Sequence, residues 1–146
     1  MRSTKLVFAA VMMMVVGAGS AAAQNRPYVV IVNESNYLTS ISATELSRLF
    51  LKKTTRWTTG QTVTPLDLMP ASPARAAFSE DVFHKAATEV KSEWQAALAA
   101  GRGLPPMEAP NETSVVAFVR ANPGAIAYVS ADTPLVAGVR AVRVRN

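Results

Sequence analysis

A predicted helix start contains residues that could bind a small anion: Ser72, Ala74 and Arg75. Residues 63–69 (VTPLDLM) predict a strand, and a tight turn leads from it to Ser72 and Pro73. Ser72 is a favourable N-cap because its hydroxyl can accept from free backbone N–H groups, and Pro73 suits the first helical position. A helix that follows a strand directs unpaired N–H groups and a positive dipole end at the sheet edge. The pattern predicts an oxyanion held by Ser72, the N–H groups of Ala74 and Arg75, and the guanidinium.

Arg75 also has an interpretation that needs no ligand. A cation in the first turn of a helix is disfavoured by the helix dipole by about 0.3–1 kcal/mol. A bound anion would offset this penalty. A salt bridge from Arg75 to Asp67 or Glu80, or a side chain in solvent, is the more common arrangement for such a residue, and the sequence leaves these alternatives open.

Four further polar residues are candidates for the same anion site. Asn33 and Ser35 follow a predicted strand, and Thr113 and Ser114 lie at the start of a predicted helix capped by Asn111 or Thr113. Hydroxyl and amide donors at strand and helix ends are suitable ligands for an oxyanion. We therefore expect Asn33, Ser35, Thr113 and Ser114 to supplement the first helix start.

Catalytic and metal chemistry find no support in the composition. The chain contains no cysteine and one histidine, His84, which falls between two predicted helices. The acidic residues are dispersed, so no nucleophile–base pair or metal-binding cluster is formed by the sequence pattern. The sequence predicts a protein that is not an enzyme and that has neither a metal nor a cofactor.

The remaining elements alternate between strands and helices. Residues 28–33 (YVVIVN) predict a strand buried on both faces at the centre of a sheet. A capping box at 42–45 begins a short helix, and another helix begins near residue 88. Residues 125–130 and 139–144 predict two more strands, the last an edge strand protected by arginines. The predicted buried positions of the helix near residue 88 are Val90, Trp94, Ala97 and Leu98.

Residues 1–23 predict a signal peptide. Arg2 and Lys5 precede a short apolar run, and small residues up to Ala23 form a cleavage site. The run is too short for a comfortable membrane span of about 20 residues. We expect cleavage after Ala23, export to the periplasm or beyond, and no lipid anchor, since there is no cysteine to carry one.

Residues 24–146 are predicted to form one domain with a modest core. Without Arg2 and Lys5, 13 of the 15 basic residues remain against 10 acidic ones, a net charge of about +3. This mild excess suits a small anionic ligand or an acidic partner surface. It is too small and too scattered to predict nucleic-acid binding.

The order of several residues resembles a known family. Phe50, Trp57, Gly60, Phe78 and the segment PGAIAY at 123–128 occur in the order found in substrate-binding proteins of phosphate ABC transporters. The chain is similar in particular to short, single-lobe members of this periplasmic binding protein-like family. The similarity extends over about residues 29–144.

The resemblance implies a three-layer α/β fold with a mixed sheet and helices on both faces, one lobe of a type 2 periplasmic binding protein-like fold. In full-length relatives, serine and threonine hydroxyls and helix N-termini hold phosphate between two lobes, notably through a glycine-containing serine–threonine loop ending at an arginine. That loop falls on residues 71–75, where Ser72 and Arg75 match it. Pro73 replaces the glycine and Ala74 the threonine, so two donors are lost.

The resemblance therefore implies an exported single-lobe protein that binds phosphate or a similar oxyanion weakly, in connection with phosphate transport. The alternative is a ligand-free interaction or regulatory module of the cell envelope that contacts a membrane transporter or sensor. Self-association that rebuilds a two-lobed cleft is left open by the sequence.

Overall fold

The computed structural model describes residues 25–146. The predicted signal peptide lies outside the described residues and stays a prediction. No helix within 25–146 has the length and apolar character needed to cross a membrane.

The described chain consists of six strands and four helices. The strands are β1 (Tyr28–Asn33), β2 (Ser40–Ser42), β3 (Thr64–Leu68), β4 (Met107–Ala109), β5 (Ala125–Ser130) and β6 (Val139–Arg145). The helices are α1 (Ala43–Phe50), α2 (Pro73–Phe83), α3 (Ala87–Ala99) and α4 (Glu112–Ala121).

The strands form one mixed sheet in the order β2-β6-β1-β5-β3-β4. Strand β1 is antiparallel to both its neighbours, whereas β3 is parallel to both β5 and β4. The prediction that residues 28–33 form a central strand is confirmed. The prediction of β6 as an edge strand is wrong, since β6 lies between β2 and β1. Its alternating pattern reflects one exposed face, and such a pattern carries no information about neighbours within the sheet.

Helices cover both faces of the sheet, as the predicted three-layer fold requires. Helices α1 and α2 pack together and α3 packs on α2, while α4 packs on β5, β1 and β3. The core contains the stacked rings of Phe78 and Tyr128, whose centroids are 3.9 Å apart and whose planes differ by 6°. Phe50 and Tyr28 also contact this pair.

Local signals set most of the helix starts. Ser42 and Glu45 form the predicted capping box of α1, and the Asn111 side chain accepts from the Ser114 N–H at the start of α4. The buried stripe predicted for α3 is partly wrong, because Val90 and Trp94 are buried but Leu98 is 46% exposed. The two buried residues lie in the first eight residues of α3, which packs on α2.

Candidate functional site

Two helix N-termini lie at the end of the sheet where the parallel strands β3 and β4 finish. Helix α2 follows β3 and α4 follows β4, and these strands run parallel to each other and to β5. The carboxyl ends of parallel strands meet at the same edge, where open α/β sheets bind ligands. The structure therefore places Ser72, Ala74, Arg75, Thr113 and Ser114 along one edge, as the anion-site hypothesis requires.

Asn33 and Ser35 lie at the opposite end of the sheet, so the prediction that they join this site is wrong. Strand β1 is antiparallel to β5, and Val32 pairs with Ile126 near the beginning of that strand. The sequence pattern alone did not reveal the direction of β1. A polar residue after a strand therefore could not be assigned to either edge.

Asn33 instead holds the C-terminal end of α4. Its amide nitrogen donates to the carbonyl oxygens of Val119 at 2.9 Å and Arg120 at 3.0 Å. Its side-chain oxygen accepts from the Ser35 N–H at 3.0 Å and the Ser35 hydroxyl at 2.8 Å. Both ends of the buried Asn33 amide are thus occupied by the protein itself.

The guanidinium of Arg75 is turned into the interior. Arg75 is 2% exposed, and its Nη1 donates to the Leu68 carbonyl oxygen at 2.8 Å and to Glu108 Oε1 at 3.2 Å. Its Nη2 lies 3.0 Å from Asp67 Oδ2, and its Cζ lies 6.0 Å from the centroid of the Trp94 ring. The guanidinium therefore binds two carboxylates and one carbonyl instead of facing outward towards an anion.

This arrangement decides between the alternatives for Arg75. The salt bridge to Asp67 is present, and Glu80 is exposed and forms no salt bridge within the described chain. Glu108 is a second partner that the sequence did not reveal, because it lies 33 residues from Arg75 and comes close only through the pairing of β4 with β3. The prediction that the guanidinium itself contacts an anion is therefore corrected.

Asp67 links this ion pair to the aromatic core. The Tyr128 hydroxyl donates to Asp67 Oδ1, which also accepts from the Leu68 N–H at 2.9 Å. Burial raises the pKa of Asp67, and the Tyr128 hydrogen bond and the Arg75 charge offset only part of this effect. Burial, together with the Asp67 charge, raises the pKa of Tyr128 well above its ordinary value. A carboxylate in the apolar strand TPLDL was the sequence signal for this network.

The N-terminus of α2 retains unused donors. Its N-cap Ser72 makes no side-chain capping bond, contrary to the prediction, and its hydroxyl oxygen is buried without a hydrogen-bond partner in the described chain. The Arg75 N–H donates to the Ser72 carbonyl oxygen at 3.1 Å, whereas the Ala74 N–H meets no acceptor among the described residues. The first turn of α2 contains no acidic residue. Two donors in this turn of α2 are therefore left without a partner among the described residues, and both belong to buried groups.

The N-terminus of α4 is more fully occupied. The Ser114 N–H donates to the Asn111 side chain at 2.8 Å. Glu112 places a carboxylate in the first turn, and that carboxylate accepts from the Ser130 hydroxyl at 2.8 Å. The α4 end is therefore a weaker candidate for an anion than the α2 end.

Metal chemistry has no candidate site among residues 25–146. No group of three or more His, Cys, Asp or Glu side chains in this range is arranged to hold an ion. His84 is the left-handed C-cap residue of α2, with φ of 56°.

No protein-family model matches the sequence, and no curated protein matches it either. Solved structures do match its fold. An ABC-type phosphate transport receptor from Vibrio cholerae is 14% identical, with a TM-score of 0.64 over 81% of this chain. A Clostridium perfringens structure with bound phosphate, described as a phosphate ABC transporter substrate-binding protein, is 19% identical, with a TM-score of 0.63 over 81% of this chain. A possible phosphate binding protein from Planctomyces limnophilus is 16% identical, with a TM-score of 0.61 over 82%.

The aligned regions include 46%, 44% and 42% of those three proteins. The chain thus spans less than half the length of the structures that it matches. The predicted resemblance to phosphate ABC transporter substrate-binding proteins is confirmed at the level of the fold. The fold is that of one lobe of a periplasmic binding protein.

Proposed function

We propose that the protein is a single-lobe solute-binding-like protein that binds phosphate or a similar oxyanion weakly at the N-terminus of α2. The observation that carries this proposal is that two donors in the first turn of α2, the Ala74 N–H and the buried Ser72 hydroxyl, have no partner among the described residues. The fold shared with the phosphate-bound Clostridium perfringens protein supports phosphate as the ligand class. Thr113 and Ser114 at the start of α4 lie along the same edge and complete the proposed site.

In this proposal Arg75 is a positioning residue. Its bond to the Leu68 carbonyl oxygen ties the end of β3 to the first turn of α2. The Arg75 side chain thereby fixes the position of the first turn of α2, which contains the Ala74 N–H. Loss of Arg75 would weaken anion binding through the loop, without loss of a direct contact.

The affinity should be low because the local charge is unfavourable. Asp67, Glu108 and Glu112 contribute three carboxylates to this edge, and Arg75 and Lys91 contribute two cations. Each hydrogen bond to a charged group contributes about 1.5–3 kcal/mol, so two such bonds alone correspond to dissociation constants from about 6 mM to about 40 μM, before the unfavourable charge is included. One lobe also cannot enclose a ligand from both sides.

Pro73 offers the sharpest test, because it is exposed at the first position of α2. A glutamate there suits the helix dipole and preserves the fold, but its carboxylate competes with a bound anion. We expect phosphate to shift the Ala74 amide signal in 15N NMR spectra of the wild type and of Pro73→Gln. Pro73→Glu should abolish the shift. An Ala74 signal that does not move at millimolar phosphate, with sulfate and chloride as controls, would end the proposal.

The proposal places the mature protein in the periplasm, where it works with a membrane transporter or sensor. The solved structures that share its fold include transport receptors, which supports a role in transport without catalysis. N-terminal sequencing of the exported protein should find Gln24 as the first residue. A first residue within the apolar run would refute the predicted cleavage site.

A ligand-free interaction module is the second candidate. It is favoured by the ion pairs of Arg75 with Asp67 and Glu108, because an arginine that is bound to carboxylates of its own chain is not free to bind an anion. Co-purification from the periplasm separates the two candidates. An interaction module should retain its partner in both Pro73→Glu and Pro73→Gln and should show no phosphate-dependent shift.

A further inference from the structure

A groove beside strand β2 is lined by arginine and aromatic side chains and is a candidate for a second binding surface. Its volume is about 710 Å³, and it lies between the residue 35–41 segment, α1 and the residue 54–61 turn. Strand β2 is one edge of the sheet, whereas the anion site proposed above lies at the ends of β3 and β4 near the other edge. The groove is therefore independent of the proposed oxyanion site.

Arginines dominate the charge of this groove. Arg48, Arg56 and Arg145 line it, and Glu45 is the single acidic residue among the lining side chains. Arg145 Nη2 lies 3.7 Å from Glu45 Oε2, with both side chains exposed. Arg48 and Arg56 have no carboxylate within 4.0 Å in the part of the chain that is described, although Arg56 donates to the Gly60 carbonyl oxygen. Two guanidinium groups thus remain available to an acidic partner.

Two aromatic side chains accompany the arginines. Tyr37 is 84% exposed, and the Arg140 guanidinium lies 5.9 Å from its ring centroid. Trp57 is partly buried, and its indole N–H donates to the Gly124 carbonyl oxygen at 3.1 Å, which fixes the ring. Exposed tyrosine, tryptophan and arginine side chains are enriched at the centres of protein interfaces.

We propose that this groove binds an extended acidic segment of a partner protein. Strand β2 pairs only with β6 among the described strands, so its other side has no neighbouring strand, and its residues Ser40 and Ile41 line the groove. An extended peptide can align with such an edge while its carboxylates meet the arginines. The cations come from α1, the residue 54–61 turn and β6. A chain of several carboxylates therefore matches them better than one inorganic anion.

The test uses a fluorescein-labelled decapeptide of alternating glutamate and valine, with an alternating lysine and valine peptide as a control. Fluorescence anisotropy should detect binding of the glutamate peptide alone, weakening as salt is added. The double variant Arg48→Gln, Arg56→Gln should bind about tenfold more weakly, as expected for two partly exposed charge pairs. The matched control Arg102→Gln, Arg143→Gln removes two exposed arginines outside the groove and should bind like the wild type.

Other outcomes would overturn the proposal. They are the absence of binding, an equal loss in the two double variants, or equal binding of the two peptides. Competition by millimolar inorganic phosphate would identify a small-anion site instead. Tighter binding to phosphatidylglycerol vesicles than to the glutamate peptide would identify a membrane surface. Circular dichroism of each variant distinguishes a lost contact from a lost fold.

Discussion

Replacement of Arg75 by methionine tests whether the guanidinium stabilises the interior. The change keeps an unbranched apolar stem but removes the cation between Asp67 and Glu108. Removal of one partner from a buried ion pair costs about 3–5 kcal/mol. Asp67 retains hydrogen bonds from Tyr128 and from the Leu68 N–H, and Glu108 is partly exposed. We therefore expect the lower end of the range, a loss of about 3 kcal/mol in the free energy of unfolding.

Urea denaturation at neutral pH, followed by tryptophan fluorescence, measures this loss. A double-mutant cycle with Asp67→Asn adds a second criterion, because the two residues share one interaction. The double variant should lose less stability than the sum of the single variants, with a coupling of about 0.5–3 kcal/mol. Arg102→Met is the control, since Arg102 is exposed and its replacement should stay within about 0.5 kcal/mol of the wild type.

The opposite result would refute the reasoning about the site. If Arg75→Met unfolds within about 0.5 kcal/mol of the wild type and the cycle is additive, the guanidinium does not lie between carboxylates in solution. It would then be free to contact an anion, and the assignment of Arg75 as a positioning residue would be wrong.

Three further predictions concern other parts of the fold. Gly124→Ala should lower stability by about 1–3 kcal/mol in urea denaturation, because a Cβ would clash with the Thr62 carbonyl oxygen, and Arg102→Ala at an exposed position is the control. Asn33→Ala should cost about 1–3 kcal/mol, because two helix carbonyls lose their donor, and it should leave phosphate titrations unchanged. The Asp81 carboxylate accepts hydrogen bonds from the Tyr28 hydroxyl and from the Arg26 guanidinium. Burial raises the pKa of Asp81, but these two hydrogen bonds outweigh burial, so the pKa is lowered overall. Its stabilisation is therefore present above about pH 4 and is lost as the pH falls through the lowered pKa, so the stability difference between wild type and Asp81→Asn should shrink in acid denaturation.

Short-range signals predicted most elements of the fold. The capping box of Ser42 and Glu45 requires residues only three apart, and Pro73 marks a helix start by its own fixed φ. The run YVVIVN indicated a strand buried on both faces, and it occupies the centre of the sheet. Such signals depend on backbone geometry and burial within a few residues, so they can be interpreted before the chain is folded.

The candidate site was predictable only in part. The strand and helix around residues 64–83 were correctly placed, and they bring Ser72 and Ala74 to the sheet edge. The partner of Arg75 stayed open because Asp67, Glu80, solvent and a bound anion were all alternatives until burial was known. Asn33 was assigned to the wrong end of the sheet because the direction of β1 depends on pairing with residues about 100 positions away.

The sequence by itself determined where helices and strands begin, which faces are apolar, and which fold these elements resemble. Tertiary structure alone decided that Arg75 points inward, that Asn33 supports α4, and that β6 has neighbours on both sides. The physical reason is that local propensity acts over one or two turns of chain. Charge neutralisation and strand order depend instead on which distant segments come together and exclude water.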